Sequence, residues 1–268
     1  MKTLSYITVS KNDNYDPDNI NKLVLSITNN VVHLVNRGVE VETILVDWGS
    51  DSPLYLEERI QAIETPIKHI VVSKETISKD GLNPDIFYEY FAKNVGIRQA
   101  TKDYVMIVNS DTLNSEELCD SVVDFLSFNV KNVYARPTIR LNGLYPNFNE
   151  YTHYDTIWDK PYGDLNPGDY VMFNRSELVN IIQGYDESNA VHRNQKSAQT
   201  HMDVEILLQA NYKNIRIFFL NGYITHMHHD KSDRTYDSAR NYQGYVNRQD
   251  WGYSNIEPIK ISNTVYKL

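Results

Sequence analysis

Short apolar runs alternate with amphipathic stretches through the first half of the chain. Leu4–Val9 is an apolar run of the kind that fills a buried strand. The polar loop Ser10-Lys11-Asn12-Asp13-Asn14 separates it from Ile20–Val35, where Leu23, Ile27, Val31 and Leu34 recur at helical spacing. Thr43–Val46 predicts a second strand, ending at Asp47-Trp48-Gly49-Ser50. Pro53 stands where a helix can open, and the pattern continues it over Leu54–Ile63. Ile67–Val72 reads as a third strand, Phe87–Ala100 as a helix, and Tyr104–Val108 as a fourth strand ending at Asn109-Ser110-Asp111. Ser115-Glu116-Glu117 opens a helix that runs to Phe128, and Asn132–Ala135 is a fifth strand.

Strands alternating with helices predict an α/β fold, Rossmann-like, with a mostly parallel central sheet flanked by helices. Ligands of such sheets sit beyond the carboxyl ends of the strands, which draws attention to Asp47 and Asp111. The second half is less regular. Residues 141–168, rich in Tyr, Asn, Pro and Gly, read as a long loop of the sort that binds ligands. Tyr170–Phe173 predicts a strand, Ser176–Ile182 and Asp203–Ala210 helices, and Ile215–Leu220 a strand leading to Tyr223-Ile224-Thr225-His226-Met227-His228-His229. No repeat or linker divides the chain. The expected organisation is one domain over residues 1–229, with 230–268 as a C-terminal extension packed on it.

Composition narrows the function. The chain has 268 residues, 41% hydrophobic and 23% charged, which is ordinary for a globular protein. Its net charge of −9 argues against nucleic acid as a partner, because phosphate-backbone affinity needs a basic surface. Cys119 is the single cysteine, so an internal disulfide is excluded. No leader pattern and no membrane-spanning apolar run stands out, and a soluble cytoplasmic protein is expected. Twenty tyrosines suit a carbohydrate-handling surface, although A/T-rich codon usage explains part of such an excess.

Three constellations carry chemistry. Asn109-Ser110-Asp111 ends a buried strand, where a carboxylate can hold a hard divalent cation; the same triplet also makes an ordinary turn. Five of the eight histidines lie between 192 and 229, and neutral imidazole is a good ligand for manganese or zinc. His226 and His228 would share a strand face, and His226 and His229 converge if the chain bends. Asp203 and Glu205 open a helix, whose N-terminus favours an ionised carboxylate able to act as a base.

These pieces occur in an order that resembles the GT-A fold nucleotide-sugar glycosyltransferases, particularly their family 2-like group. Ser5-Tyr6-Ile7-Thr8-Val9 looks like the first strand and nucleotide loop, and Glu42–Ser50 resembles the "VVDDGS" element. Ala92-Lys93-Asn94-Val95-Gly96-Ile97 is similar to "ARNxGI", and Tyr104–Asp111 to the strand that leads into the DXD metal motif. Gly184-Tyr185-Asp186-Glu187 looks like "GGFDE", and Met202-Asp203-Val204-Glu205 like the acceptor-side "EDxE". The pieces span residues 4–229.

The resemblance implies a nucleoside-diphosphate sugar donor, with UDP as the expected nucleotide, and a hydroxyl of a glycan or glycoconjugate as acceptor. It implies Mn2+ or Mg2+ as cofactor and inversion at the anomeric carbon. Val9, Lys11, Asp47, Lys93, Asn109 and Ser110 would bind the nucleotide, with Asp47 at the base. Asp111, His226 and His229 would hold the metal, and Asp203 would deprotonate the acceptor. Tyr145 and Trp158, in the aromatic loop, would carry the acceptor. Lys231, Arg234, Arg240 and Arg248 belong to a tail that either closes over the diphosphate or is merely structural.

The chain departs from the family pattern in three places. Asn109 replaces the first acid of DXD, Trp48 replaces the second Asp of "DDGS" and would stack on the base instead, and Lys93 stands for Arg without its bidentate fork. Two other readings stay open. One is a nucleotidyltransferase, disfavoured because the 10–14 loop lacks glycine and carries one lysine. The other is a non-catalytic relative that binds nucleotide or sugar.

Overall fold

A computed structural model of the chain describes residues 3–13, 17–54, 56, 60, 67–143, 151–155, 170–187, 202–227 and 245–268. The first strand is β1 (Thr3–Ser10), followed by α1 (Asn19–Asn36), β2 (Glu40–Trp48) and β3 (Ile67–Val72). Then come α2 (Lys74–Lys79), α3 (Glu89–Gln99), β4 (Tyr104–Val108), β5 (Thr112–Asn114) and α4 (Glu116–Phe128). The second half holds β6 (Val133–Gly143), β7 (Tyr151–Asp155), β8 (Tyr170–Asn174), α5 (Arg175–Glu177), α6 (Met202–Tyr212) and β9 (Arg216–Met227). Two short strands, β10 (Ile259–Lys260) and β11 (Val265–Lys267), close the chain.

All strands belong to one sheet in the order β10-β11-β3-β2-β1-β4-β8-β6-β9-β5, with β7 beside β6. From β11 to β4 the neighbours are parallel. β8 then runs antiparallel to both β4 and β6, while β6 and β9 are parallel. The expected α/β architecture is present, with its reversal at β8.

The parallel block is covered on both faces, which is why its strands read as unbroken apolar runs. On one face Ile7, Val9, Ile44, Val46 and Trp48 pack with α3, α6 and Trp251. On the other, Leu4, Tyr6, Leu45 and Met106 pack with Leu23, Ile27, Val31 and Leu34 of α1 and with α4. Ser115 caps α4 by accepting the Leu118 amide at 3.2 Å, as the Ser-Glu-Glu opening predicts.

Several elements differ from expectation. The strand predicted to end at Ala135 continues to Gly143, carrying Arg136 and Arg140, only 3% and 7% exposed. Charged residues and Pro137 hide that strand from a hydrophobicity pattern. β7 lies inside the predicted 141–168 loop, because it pairs with this extension. α2, too polar to show periodicity, is set by its cap Ser73, which accepts the Thr76 amide. Residues 178–182 form a π-turn continuing α5. Of the helix expected over 54–63, the described part shows Ile60 N–H bonded to the Leu56 carbonyl at 3.0 Å; the remainder lies outside the described residues. Residues 245–268 are built into the fold, since β11 pairs in parallel with β3.

Gly96 lets α3 lie directly on β1: a Cβ there would stand 2.5 Å from Ile7 Cγ2. Overpacking of this kind costs about 1–3 kcal/mol, and the better helix propensity of alanine returns up to about 1 kcal/mol. Gly96→Ala should therefore lose about 1 kcal/mol net, read from the urea midpoint; a stabilised variant would mean that α3 is free to shift.

Candidate functional site

β1, β2 and β4 are parallel, so their carboxyl ends lie along one edge of the sheet, and the loops after β1 and β2 meet there. Asp111 lies in the bend after β4. Its carbonyl accepts the Met227 amide at 2.7 Å, and the next residue, Thr112, is in register with His226. This ladder brings the Asp111 carboxylate within 3.1 Å of His226 Nε2, with both side chains about one-seventh exposed. Among the described residues no group of three or more His, Cys, Asp and Glu side chains is gathered for a metal. His228 and His229 lie outside the described residues.

The pair fits a divalent cation. A carboxylate and an imidazole suit manganese by chemistry. Neighbouring ligands of an octahedral ion with bonds of about 2.1 Å stand about 3.0 Å apart, close to the observed separation. Asn109 and Ser110 occupy the same bend, half-buried, and Thr112 N–H returns to the Asn109 carbonyl at 3.3 Å.

Asp47 is fully buried at the end of β2. One carboxylate oxygen accepts the Ser50 hydroxyl, the other accepts the Leu54 amide at 2.9 Å, and His69 Nε2 lies 3.6 Å away. Asp47 thus fixes the loop 49–54. Ser50 Oγ in turn accepts the Asn12 amide at 2.7 Å, which joins this loop to the one after β1. Lys11 is 6% exposed, and its ammonium donates to the carbonyls of Pro84 and Asp85 at 3.1 and 2.7 Å. Burial lowers its pKa.

Burial bears on three of these side chains. Val9 is 3% exposed, a core residue under α3, so its side chain lines no cleft. Trp48 is fully enclosed, stacked 6.1 Å from Tyr253 and edge-on to Tyr88, so it does not stack on a base. Lys93 is also enclosed; its ammonium is 2.7 Å from Glu89 and lies over the rings of Tyr90 and Tyr185. The charge expected at the nucleotide is held inside the chain.

Arg248 of the tail pairs with Asp80 at 3.0 Å, which makes its segment a docked structural one. Lys231, Arg234 and Arg240 lie outside the described residues, as do Tyr145 and Trp158. Asp203 is the second residue of α6, in its first turn.

The Asn94 and Glu187 side chains, quoted only as parts of motifs, form a buried hub. Asn94 donates to the Tyr185 carbonyl at 2.9 Å and accepts the Tyr185 amide at 2.8 Å. It also donates to Glu187 Oε1 at 2.8 Å, which accepts the Gly252 amide at 3.0 Å. Gly184 needs its positive φ of 68° here, and a Cβ would stand 2.4 Å from Asn94 Oδ1. Asn247 completes the hub by accepting the Glu187 amide at 2.7 Å and donating to the Gln183 and Tyr185 carbonyls.

No protein-family model matches the chain. No curated protein sequence matches it. Solved structures do. The Drosophila β1,4-galactosyltransferase 7 catalytic domain, in complex with xylobiose, superposes with a TM-score of 0.54 at 10% identity, over 100% of this chain and 93% of that one. Staphylococcus aureus TarS 1–349 gives 0.50 at 14% identity, over 85% and 60%. The mannosyltransferase PcManGT from Pyrobaculum calidifontis, in complex with GDP-Man and Mn2+, gives 0.52 at 11% identity, over 83% and 56%. This chain has the GT-A fold of the nucleotide-sugar glycosyltransferases. No helix among the described residues is long and apolar enough to cross a membrane.

Burial raises the Glu187 carboxyl to about 7, against the smaller opposing effect of its bonds from Asn94 and Gly252. The folded chain therefore keeps a proton that the unfolded chain releases near 4.5. Its contribution is full below pH 4.5 and is lost as pH rises through about 7. Between pH 4.5 and 7.5, Glu187→Gln should gain on the parent by up to about 3 kcal/mol, measured by urea unfolding across that range. Parallel pH profiles for the two proteins would remove this role.

Proposed function

We propose that the chain is an inverting, metal-dependent glycosyltransferase that moves a sugar from a nucleoside-diphosphate donor, UDP-linked, to a hydroxyl of a glycan or glycoconjugate. The observation that carries this reading is the Asp111–His226 pair, 3.1 Å apart at the carboxyl end of the parallel strands of a GT-A fold. A second solved structure of the Drosophila enzyme, a point mutant in complex with manganese, UDP-Gal and xylobiose, superposes with a TM-score of 0.52 at 10% identity, over 100% of this chain and 93% of that one. That likeness supports the donor class and the cation.

In this reading Asp111 and His226 hold Mn2+ or Mg2+, with His229 as the expected third ligand. A divalent cation held there would supply the positive charge that offsets the charge developing on the departing diphosphate. Asn109 and Ser110 present the bend to the phosphates. The loops fixed by Asp47, Ser50 and Lys11 frame the nucleoside. Asp203, in the first turn of α6, takes the proton from the acceptor hydroxyl, which is a weak nucleophile until deprotonated. Tyr145 and Trp158 contact the acceptor sugar.

A binding-only relative is the second reading. It is favoured by Asn109 in place of an acid and by the enclosure of Lys93. Calorimetry with UDP, with and without Mn2+, followed by donor hydrolysis over a panel of UDP- and GDP-sugars, separates the two. Metal-enhanced UDP binding with turnover supports the enzyme; the same binding with no turnover on any donor supports the binding module. Asp111→Ala and His226→Ala should each weaken UDP binding in the presence of Mn2+ by tenfold or more, on the order of a lost metal ligand or its supporting partner. Asp203→Asn should lower transfer about 10²–10⁴-fold and leave UDP·Mn2+ affinity unchanged; full transfer by this variant would remove its role as base.

A further inference from the structure

β5 is three residues long and ends the strand order, with β9 on one side. The carbonyl of Asp111 and the amide of Ser115 turn towards β9, where they bond Met227 and Tyr223. The backbone groups of Thr112 and Asn114 therefore point the other way, where no strand follows among the described residues. Side chains of α1 meet them instead. Asn30 Nδ2 donates to the Thr112 carbonyl at 2.9 Å, and Asn30 Oδ1 accepts the Asn114 amide at 2.8 Å. Ser26 adds a second donor to the Thr112 carbonyl at 2.7 Å, and Asn29 donates to the Asn114 carbonyl at 3.3 Å. Asn30 is fully buried, and its amide is held further by the Tyr6 hydroxyl at 3.1 Å.

A carboxamide carries the same donor and acceptor as a peptide group. By binding the carbonyl of one residue and the amide two residues on, Asn30 does what a residue of a neighbouring strand would do. The strand so fixed begins immediately after Asp111, and its Thr112 faces His226. We infer that Asn30 is a positioning residue for the Asp111–His226 pair, acting as a substitute strand that sets where the two ligands stand. The inference rests on the reading that this pair takes a divalent cation.

The test compares Mn2+ affinity of the full chain in the presence of UDP, read by the electron-paramagnetic signal of free Mn2+, with thermal unfolding of the same variants without metal. Asn30→Asp keeps the acceptor for the Asn114 amide and loses the donor to Thr112. It should weaken Mn2+ binding about 10–100-fold, the range for groups that hold metal ligands in place. Ser26→Ala, which leaves Asn30 intact, should fold and weaken binding by less than Asn30→Asp does. Gly96→Ala, destabilised elsewhere, should keep the parent affinity. If Asn30→Asp fails to fold, Asn30→Ser, which removes the paired carboxamide and keeps a hydroxyl, takes its place: weakened Mn2+ binding supports the inference and parent affinity overturns it. Asn30→Asp with parent affinity, or with no more loss than Gly96→Ala, overturns the inference while the metal reading stands. A parent chain that binds no Mn2+ overturns the metal reading itself, and the inference with it.

Discussion

The pair of hydrogen bonds between the Asn94 side chain and the Tyr185 backbone joins the two halves of the molecule. α3 is held to the parallel strands by close packing at Gly96, and everything C-terminal to β8 has to be attached to that platform. Beside the apolar packing of α6 and Trp251 and the pairing of β11 with β3, that attachment has a polar centre. Asn94 closes on both the amide and the carbonyl of Tyr185, and Glu187 and Asn247 extend the contact to the segment 245–252. Such bonds are worth little while water competes and a great deal once the alternative is an unpaired buried group. The hub therefore does more to define one arrangement than to add stability, and Glu187, protonated at the acid end of its range, makes that arrangement sensitive to pH.

The same device recurs at two other places where the backbone leaves regular pairing. Gln209 of α6 donates to the Tyr245 carbonyl at 2.8 Å and accepts its amide at 3.4 Å, so the helix that carries Asp203 is tied to the docked C-terminal segment. Tyr245 in turn donates its hydroxyl to the Gly184 carbonyl. Asn30 plays the corresponding part for β5. In each case a side-chain amide supplies the donor and acceptor that a neighbouring strand would have supplied, and the irregular half satisfies its buried backbone without extending the sheet.

This explains which parts of the molecule were legible from the sequence. β3 and β4 coincide with their predicted spans, and α1 and α4 agree within a residue or so, because burial on both faces and helical spacing are written locally. Asp111 and His226 could be proposed because a carboxylate at a strand end and a histidine cluster are visible as types. Their convergence depends on the register of β5 on β9, residues more than a hundred positions apart, which no local pattern encodes. Trp48 and Lys93 misled for the converse reason. Both match motif positions whose residues face ligands in the resembling family, yet Trp48 fills an aromatic cluster with Tyr88, Phe91 and Tyr253. Lys93 finds Glu89 one turn earlier on its own helix.

The fate of the cations bears on the chemistry of an acidic chain. Lys11 binds two carbonyls, Lys93 binds Glu89 and two aromatic faces, and Arg248 binds Asp80. Lys11 and Lys93 were expected at the nucleotide, and Arg248 either over a diphosphate or in a structural tail; each is engaged with the chain itself. With a net charge of −9 as background, a diphosphate held at the strand ends meets little compensation from those lysines and that arginine. On the proposed reading, the compensation would come from a cation held by Asp111 and His226. Asp111 would then be the one acid of that motif at the cation, beside the histidines, because Asn109 brings no charge. A site of this kind gains most from exact placement of the ligands it has, since weak charge compensation leaves geometry to set the affinity. On that reading the fully buried Asn30 amide behind β5 serves the placement of Asp111, which a surface loop would hold less exactly.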